Sequence, residues 1–268
     1  MIFRFPGSKA KFLPALTPFL DVLVQGQKSF HDVFVGGGSV ALFVAQQHPQ
    51  IEIHLNDLDA DLSAFWRVVA GSNVDDLCDR LRLRPTLDRF HELRQQPAKD
   101  EVDRAFRAVF FNRCCFFGLL NGNRIGGVRQ LSSNKVFSRF NGHRLGQEIR
   151  DAHRLLAGRT RVTCMDGAAY VRQHRGAPCY HDPPFLTKGD ILYRQRMTLV
   201  DHLRLADELR RATSWVLSYD RCAAIEEIYA WATCHVVAAK YSVSGKKRAW
   251  ANGEELVITP AAGNGHLH

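Results

Sequence analysis

The sequence predicts a doubly wound α/β sheet interrupted by a mostly helical, basic insert near residues 68–155. Three observations carry that expectation. Short apolar runs of strand length alternate with helix-period segments in the first quarter of the chain and again after residue 160. A glycine turn, Gly36-Gly37-Gly38-Ser39, separates the first of these runs from the helical segment that follows. Between them the alternation stops, and a long helical and irregular stretch collects positive charge.

The elements follow in order. His31–Val35 reads as a buried strand, Val40–Gln47 as a helix and Ile51–Leu55 as a second strand. A strand, glycine turn, helix and strand make a βαβ unit, which requires a right-handed crossover and a parallel sheet. Asp59–Arg113 is helical, with Leu62, Phe65, Trp66 and Val69, then Phe106, Val109 and Phe110, at helical spacing. Leu119–Asn141 is rich in Gly, Asn and Ser and has no period; loops of that length are functional or disordered. His143–Leu156 returns to helical spacing. Arg161–Met165 is a strand, Gly167–His174 a helix, and Ala177–His181 a strand that runs into Asp182-Pro183-Pro184-Phe185. Leu199–Arg211 is a helix, Trp215–Tyr219 a strand and Cys222–Ala230 a helix. His235–Val243 and Glu254–Ile258 form a final strand pair. Residues 1–67 and 156–268 then make the sheet domain and 68–155 the insert.

Composition narrows the class. Hydrophobic residues make up 46% of the 268, ordinary for a globular chain. No run reaches the ~18 apolar residues that a membrane helix needs, so no membrane partner is expected. The N-terminus lacks the apolar stretch of a signal peptide, which makes the cytoplasm the expected compartment. The seven cysteines are odd in number and show no CxxC spacing, and the twelve histidines show no ligand spacing. Neither a disulfide framework nor a metal is expected. The formal net charge is +9, and its distribution is more telling. Arg104–Arg161 holds 12 Lys and Arg against two acids, while the remaining chain is close to neutral. Such concentration suggests a polyanion footprint.

Two sites could carry chemistry. Glycines after a strand let a ligand approach the backbone, and an acid about 20 residues later, Asp57, suits ribose hydroxyls. This pairing fits NAD as readily as S-adenosylmethionine, although GGGS departs from GxGxxG; a tight turn with a helix-capping aspartate is the bland alternative. Asp182-Pro183-Pro184-Phe185 is more specific. An exocyclic amine is a poor nucleophile because its lone pair is delocalised into the ring. A site assists by accepting hydrogen bonds from both amine hydrogens, and the Asp182 carboxylate and Pro183 carbonyl can do so. The two prolines, Pro183 and Pro184, make a rigid corner lacking N–H donors. Phe185 offers a flat face for stacking a base.

These motifs, in this order, resemble the Dam-type adenine-specific DNA methyltransferases. Phe3 to Lys9 (FRFPGSK) is similar to that family's YPGGK element. Asp32 to Ser39 (DVFVGGGS) is similar to its cofactor loop, and Asn56-Asp57 to its NDxD element. Asn112-Arg113 through Gly127 resembles its NR…IGG segment, and Asp182 to Phe185 its DPPY, with Phe185 in place of the usual Tyr. Lys188 to Tyr193, Asp201-His202, Leu217 to Tyr219 and Tyr241 to Ser244 extend the likeness.

The resemblance implies a Rossmann-like, S-adenosylmethionine-dependent sheet that methylates adenine N6 in double-stranded DNA after flipping the base. It implies that Phe5, Lys9, Phe34 and Gly36 line the cofactor pocket, with Lys9 near the methionine carboxylate. Asp57 would hold the ribose, Asp166 would meet the cofactor's adenine, and Asp182 would lie between cofactor and base. His181 reads as a packed strand residue. Asn121, Asn123, Arg124, Arg129, Lys135 and Arg139 are the expected DNA contacts: Asn and Arg can read base edges, while Lys135 and Arg139 suit phosphates. A restriction-enzyme partner is compatible with this reading, and a monomer is expected, with a dimer compatible. The same amine chemistry would serve cytosine N4, RNA adenine or a protein amide. Motif order favours adenine, and Asp182 rather than Asn disfavours the amide. A catalytically silent DNA-binding module would keep the basic insert without the Lys9, Asp57 and Asp182 set.

Overall fold

A computed structural model describes residues 1–5, 7–186, 197–239 and 253–261. Its centre is a seven-stranded sheet: β1 (Ser29–Asp32), β2 (Glu52–Asn56), β3 (Thr160–Thr163), β4 (Cys179–His181), β5 (Trp215–Asp220), β6 (Thr233–Ala239) and β7 (Gly253–Thr259). The strand order is β3-β2-β1-β4-β5-β7-β6. The first five are parallel, and β7 enters antiparallel between β5 and β6. The chain leaves β1 toward β2 on one side and returns as β4 on the other. That reversal opens a crevice at the carboxyl ends of β1 and β4, where open α/β sheets bind ligands.

Among the described residues ten α-helices surround the sheet: α1 (Leu13–Val24), α2 (Ser39–Gln47), α3 (Ala60–Ala70), α4 (Val74–Arg82), α5 (Leu87–Gln95), α6 (Glu101–Cys114), α7 (Gly142–Leu156), α8 (Gly167–Gln173), α9 (Leu199–Arg210) and α10 (Ala223–Ile228). Their ends follow local chemistry. Asp59 caps α3 by accepting from the N–H groups of Asp61 and Leu62, Asp100 caps α6, and Asn141 caps α7. Capping of α3 thus falls to Asp59 and not to Asp57. Thr198 and Asp201 close a capping box on α9.

Helix α1 is an element that the sequence reading passed over. Its buried Leu16, Leu20, Leu23 and Val24 give the spacing that could have revealed it. Strand β1 stops three residues short of its expected end at Val35. The chain there already curls into the glycine turn, although Val33 N–H still bonds the Tyr180 carbonyl and Val35 N–H the Asn56 carbonyl. The last strand pair begins two residues earlier than expected, and its extension over residues 240–243 lies outside the described residues, as do Pro6, Lys188 to Tyr193 and Tyr241 to Ser244.

Two apolar clusters sandwich the sheet. One is built by Tyr170, Leu205, Leu209, Trp215, Leu217 and Ile258. The other joins sheet residues Phe30, Ile53 and Leu55 to Trp66, Phe106, Phe110 and Ile149 of the helical stretch. The helices of residues 68–155 therefore pack into the same core as the sheet, with Phe106 and Phe110 on α6 and Ile149 on α7 fully buried. Among the described residues no helix is long and apolar enough to cross a membrane.

Candidate active site

The crevice at the switch point is lined from four directions. Phe3, Phe5, Ser8 and Lys9 come from the N-terminal segment, Phe34 to Val40 from the glycine turn, Asp57 to Asp59 from the end of β2, and Tyr180, Asp182 and Pro184 from the end of β4. The cleft encloses about 1170 Å³, its open mouth included.

Backbone conformation explains the turn. Gly36 and Gly38 have φ of +46° and +71°, where a side chain is strained. A Cβ on Gly38 would lie 2.3 Å from the Trp66 ring, and one on Gly37 would sit 3.6 Å from Phe3 and 3.7 Å from Phe5. The turn thus packs against α3 and the N-terminal segment at once. Trp66 Nε1 donates to the Gly36 carbonyl at 3.0 Å, and Gly36 N–H donates to Asp57 Oδ2 at 2.9 Å. Asp57 Oδ1 accepts from Asp59 N–H at 2.9 Å. Burial pushes the Asp57 carboxyl up to about 7 even though these two N–H groups pull the other way. Behind it, Asn56 donates to the Val33 and Met165 carbonyls and accepts from Thr163 and Met165, fastening β1, β2 and β3 at one level.

Asp182 is the other pole. Its Oδ1 is 2.9 Å from Lys9 Nζ and accepts from Ser218 Oγ at 3.3 Å. Lys9 is buried in a 3₁₀ turn over Lys9–Lys11 and is also 3.3 Å from Glu255 Oε2. Burial raises the Asp182 carboxyl and the Lys9 charge opposes that rise. Pro183 is buried, Pro184 lines the cleft and Phe185 is half-buried, with Lys9 Nζ 5.4 Å from its ring centroid. His181 is fully buried, its ring 6.2 Å from that of Phe34, and burial lowers it to about 3. A neutral, enclosed imidazole is a packing residue, as its strand position suggested.

Phe5, Lys9, Phe34, Gly36, Asp57 and Asp182 are brought together in this one cleft. Asp166 is not among its lining residues. Its carboxylate accepts from Ala169 N–H at the start of α8 and pairs with Arg204 at 2.7 Å. The next residue, Gly167, lies under Phe34, so Asp166 is close in sequence to the cleft wall but turned to other partners.

The six expected DNA contacts lie on the irregular stretch after α6. Asn121, Asn123, Arg129 and Arg139 are exposed. Arg124 donates to the carbonyls of Gly127 and Val128, and Lys135 donates to that of Gln130. Leu119 and Leu120 line the cleft, so this stretch departs from the cleft mouth. Exposed Phe116, Phe117, Val128 and Leu131 surround it.

The charge count over Arg104–Arg161 needs correction as a measure of interface. Arg107 is buried and donates to the Leu93, Gln96 and Pro97 carbonyls; Arg113 is buried and donates to those of Met1 and Ile2. Arg159 donates to four carbonyls, from Ala45 to Leu155. Arg104, Arg144, Arg150 and Arg154 pair with acids. Those seven hold the fold or its surface. Among the described residues, Arg124, Arg129, Lys135, Arg139 and Arg161 make no ion pair, and the first four are on the loop.

Sequence reasoning missed Asp32, Ser218 and Glu255. Asp32 closes the cleft floor at 2% exposure, and burial, then the charges of Asp182 and Asp57, hold its carboxyl well above the usual range. It stands two residues before Phe34 in the glycine-turn motif, which was its available signal. Ser218 and Glu255 lie in strands: Ser218 falls within the Leu217 to Tyr219 likeness without being singled out, and Glu255 is marked only as a polar residue at the edge of the apolar run Leu256 to Ile258. The paired Cys114-Cys115 are buried, with Arg94 donating to Cys115 Sγ, and burial raises both thiols. They act as core.

Comparison with known proteins gives a concordant result. A family model for the D12 class N6 adenine-specific DNA methyltransferases matches residues 5–243. The type II methyltransferase M.MjaIII of Methanocaldococcus jannaschii is 26% identical over 206 residues, 68% of either chain. The type II methyltransferase M.CviBI of Paramecium bursaria Chlorella virus NC1A is 25% identical over 140 residues, 52% of this chain and 50% of that one. The DNA N-6-adenine-methyltransferase of Escherichia phage P1 is 26% identical over 246 residues, 85% of this chain but 31% of its own length.

Proposed function

The chain belongs to the D12 class of N6 adenine-specific DNA methyltransferases, and from that premise we propose that its cleft binds S-adenosylmethionine and receives an adenine extruded from double-stranded DNA. The residues present fit that group. The glycine cradle of Gly36 to Gly38 leaves room for a ligand against backbone, aromatic rings of Phe5 and Phe34 supply apolar walls, and Asp57 supplies an acceptor for ribose hydroxyls. Lys9 brings positive charge to the same wall, toward a methionine carboxylate. Asp166 is left out of this set because its carboxylate is engaged by α8 and Arg204. The bound sulfonium supplies the methyl group.

The chain's own task is to make the amine reactive and to hold it in line. Asp182 and the Pro183 carbonyl accept from the two N6 hydrogens, and Phe185 stacks on the base. No covalent enzyme intermediate is required. Most of the rate would come from positioning and from acceptors fixed in advance. The proton lost from N6 leaves through Asp182 or solvent. Asn121, Asn123, Arg124 and Arg129 are proposed to read the site, and Lys135 and Arg139 to meet phosphates.

The single observation that supports this reading most is Asp182 at the end of β4, inside the cleft that also holds Asp57 and the glycine turn. Calorimetric titration with S-adenosylmethionine, followed by base-resolution mapping of N6-methyladenine on a plasmid treated with the protein, tests it. Binding of NAD in place of S-adenosylmethionine would overturn the cofactor assignment.

A further inference from the structure

We propose that Glu255 is a positioning residue for methyl transfer: from β7 it shares the Lys9 ammonium with Asp182, so that Asp182 stays oriented and the lysine does not cancel the Asp182 charge felt by the reacting amine. This rests on the reading of Asp182 as the amine's acceptor.

The geometry is specific. Lys9 Nζ is 2.9 Å from Asp182 Oδ1 and 3.3 Å from Glu255 Oε2, and both Lys9 and Glu255 are buried. Antiparallel pairing of β7 with β5 sets Glu255 opposite Asp220, at the cleft end of the sheet. The following residues, Leu256, Val257 and Ile258, are completely buried and apolar. Packing alone would continue that pattern, since a buried carboxylate is costly unless paired. On the other side, Ser218 Oγ donates to the same Oδ1, and the Tyr180 hydroxyl lies 2.8 Å from Ser218 Oγ. Both protein contacts fall on Oδ1. Among the described residues Oδ2 is the oxygen left to face a substrate.

The chemistry gives the arrangement its purpose. As N6 attacks, the N6–carbon bond forms, the carbon–sulfur bond breaks, and positive charge passes from sulfur to N6 before a proton leaves. A carboxylate beside N6 stabilises that charge. A lysine paired with the same carboxylate would cancel the effect where it is needed. A second carboxylate drawing on the same ammonium restores it, while the ion pair still fixes Oδ1 in place.

The variant E255Q keeps the shape and removes the charge. Its kcat in single-turnover methylation is expected to fall about tenfold or more. Its S-adenosylhomocysteine affinity and melting temperature should stay near those of the parent. The acid limb of its pH profile should move to lower pH, because removing a like charge lowers the Asp182 carboxyl. A kcat within about twofold of the parent, or a loss matched by equal loss of S-adenosylhomocysteine affinity and stability, overturns the proposal. A double variant covers the case in which E255Q does not fold. If Glu255 acts through Lys9, then K9M with E255Q should be no slower than K9M alone; a further loss beyond about tenfold means independent action. Asp182→Ala separates the two levels. Full activity in that variant sinks the acceptor reading itself, whereas an inactive D182A beside an unimpaired E255Q sinks only the role of Glu255.

Discussion

In the cleft, Asp32, Asp57, Asp59 and Asp182 converge on a space lined by a single described basic side chain, Lys9. In the stretch Arg104–Arg161, twelve basic side chains stand against two acids. The acidic site is held off balance: Asp57 is raised to about 7, and Asp32 and Asp182 are raised as well. The basic stretch is largely balanced, because seven of its twelve cations are bound to carbonyls or to acids, Asp61 and Asp75 from outside the stretch and Glu148 and Asp151 within it. Unspent charge is therefore a better guide to function than counted charge, and it survives in the cleft and at a few loop positions.

The largest test of that contrast is Asp182→Ala. Loss of a fixed acceptor at the reaction centre typically costs ~10²–10³ in rate, and DNA affinity should hardly change. Next is Arg113→Ala, in the basic stretch but bonded to the Met1 and Ile2 carbonyls. Removing a charged donor from buried acceptors costs about 3 kcal/mol of stability, read as a drop in the urea midpoint; an unchanged midpoint would return Arg113 to the pool of interface candidates.

A third test is the pH dependence of cofactor binding. Asp57 has its folded value raised to about 7 from 3.8, so the empty protein retains a proton there between those values. The carboxyl's contribution to the stability of the empty fold is present at low pH and is lost as pH rises through 7. An acceptor for ribose hydroxyls needs the ionised form, so affinity for S-adenosylmethionine should fall about tenfold per pH unit below 7. Calorimetry from pH 5 to 8 should show this slope in the parent and lose it in Asp57→Asn. The smallest expected effect is on the loop. Neutralising Arg129 or Arg139 should reduce the salt slope of DNA affinity by about one unit each, while Arg154→Ala, paired with Asp151, should leave the slope unaltered.

The elements legible in the sequence were those whose pattern is local. The βαβ start, the Pro-Pro corner and the irregular run after α6 each lie within one contiguous stretch of sequence. Asp57 was found because it ends a strand at a fixed distance from the glycine turn. Asp166 satisfied a similar rule but lost its carboxylate to Arg204 on α9, a partner 38 residues away that spacing could not disclose. Arg107 and Arg113 misled for the same reason: their acceptors are carbonyls, which leave no mark in composition. Glu255 was hidden because its meaning depends on Lys9 at the opposite end of the chain.

The position of β7 carries a consequence for how the protein is made. The last described strand is inserted between β5 and β6, so one edge of β5 lies open until residues 253–259 arrive. During synthesis the ribosome releases Lys9 long before Glu255. A nascent chain thus holds its parallel strands and glycine turn long before it can close its sheet or complete the lysine's second ion pair. Chains that stop early would carry an unpaired strand edge, open to aggregation, and would present a cleft without its final counter-charge.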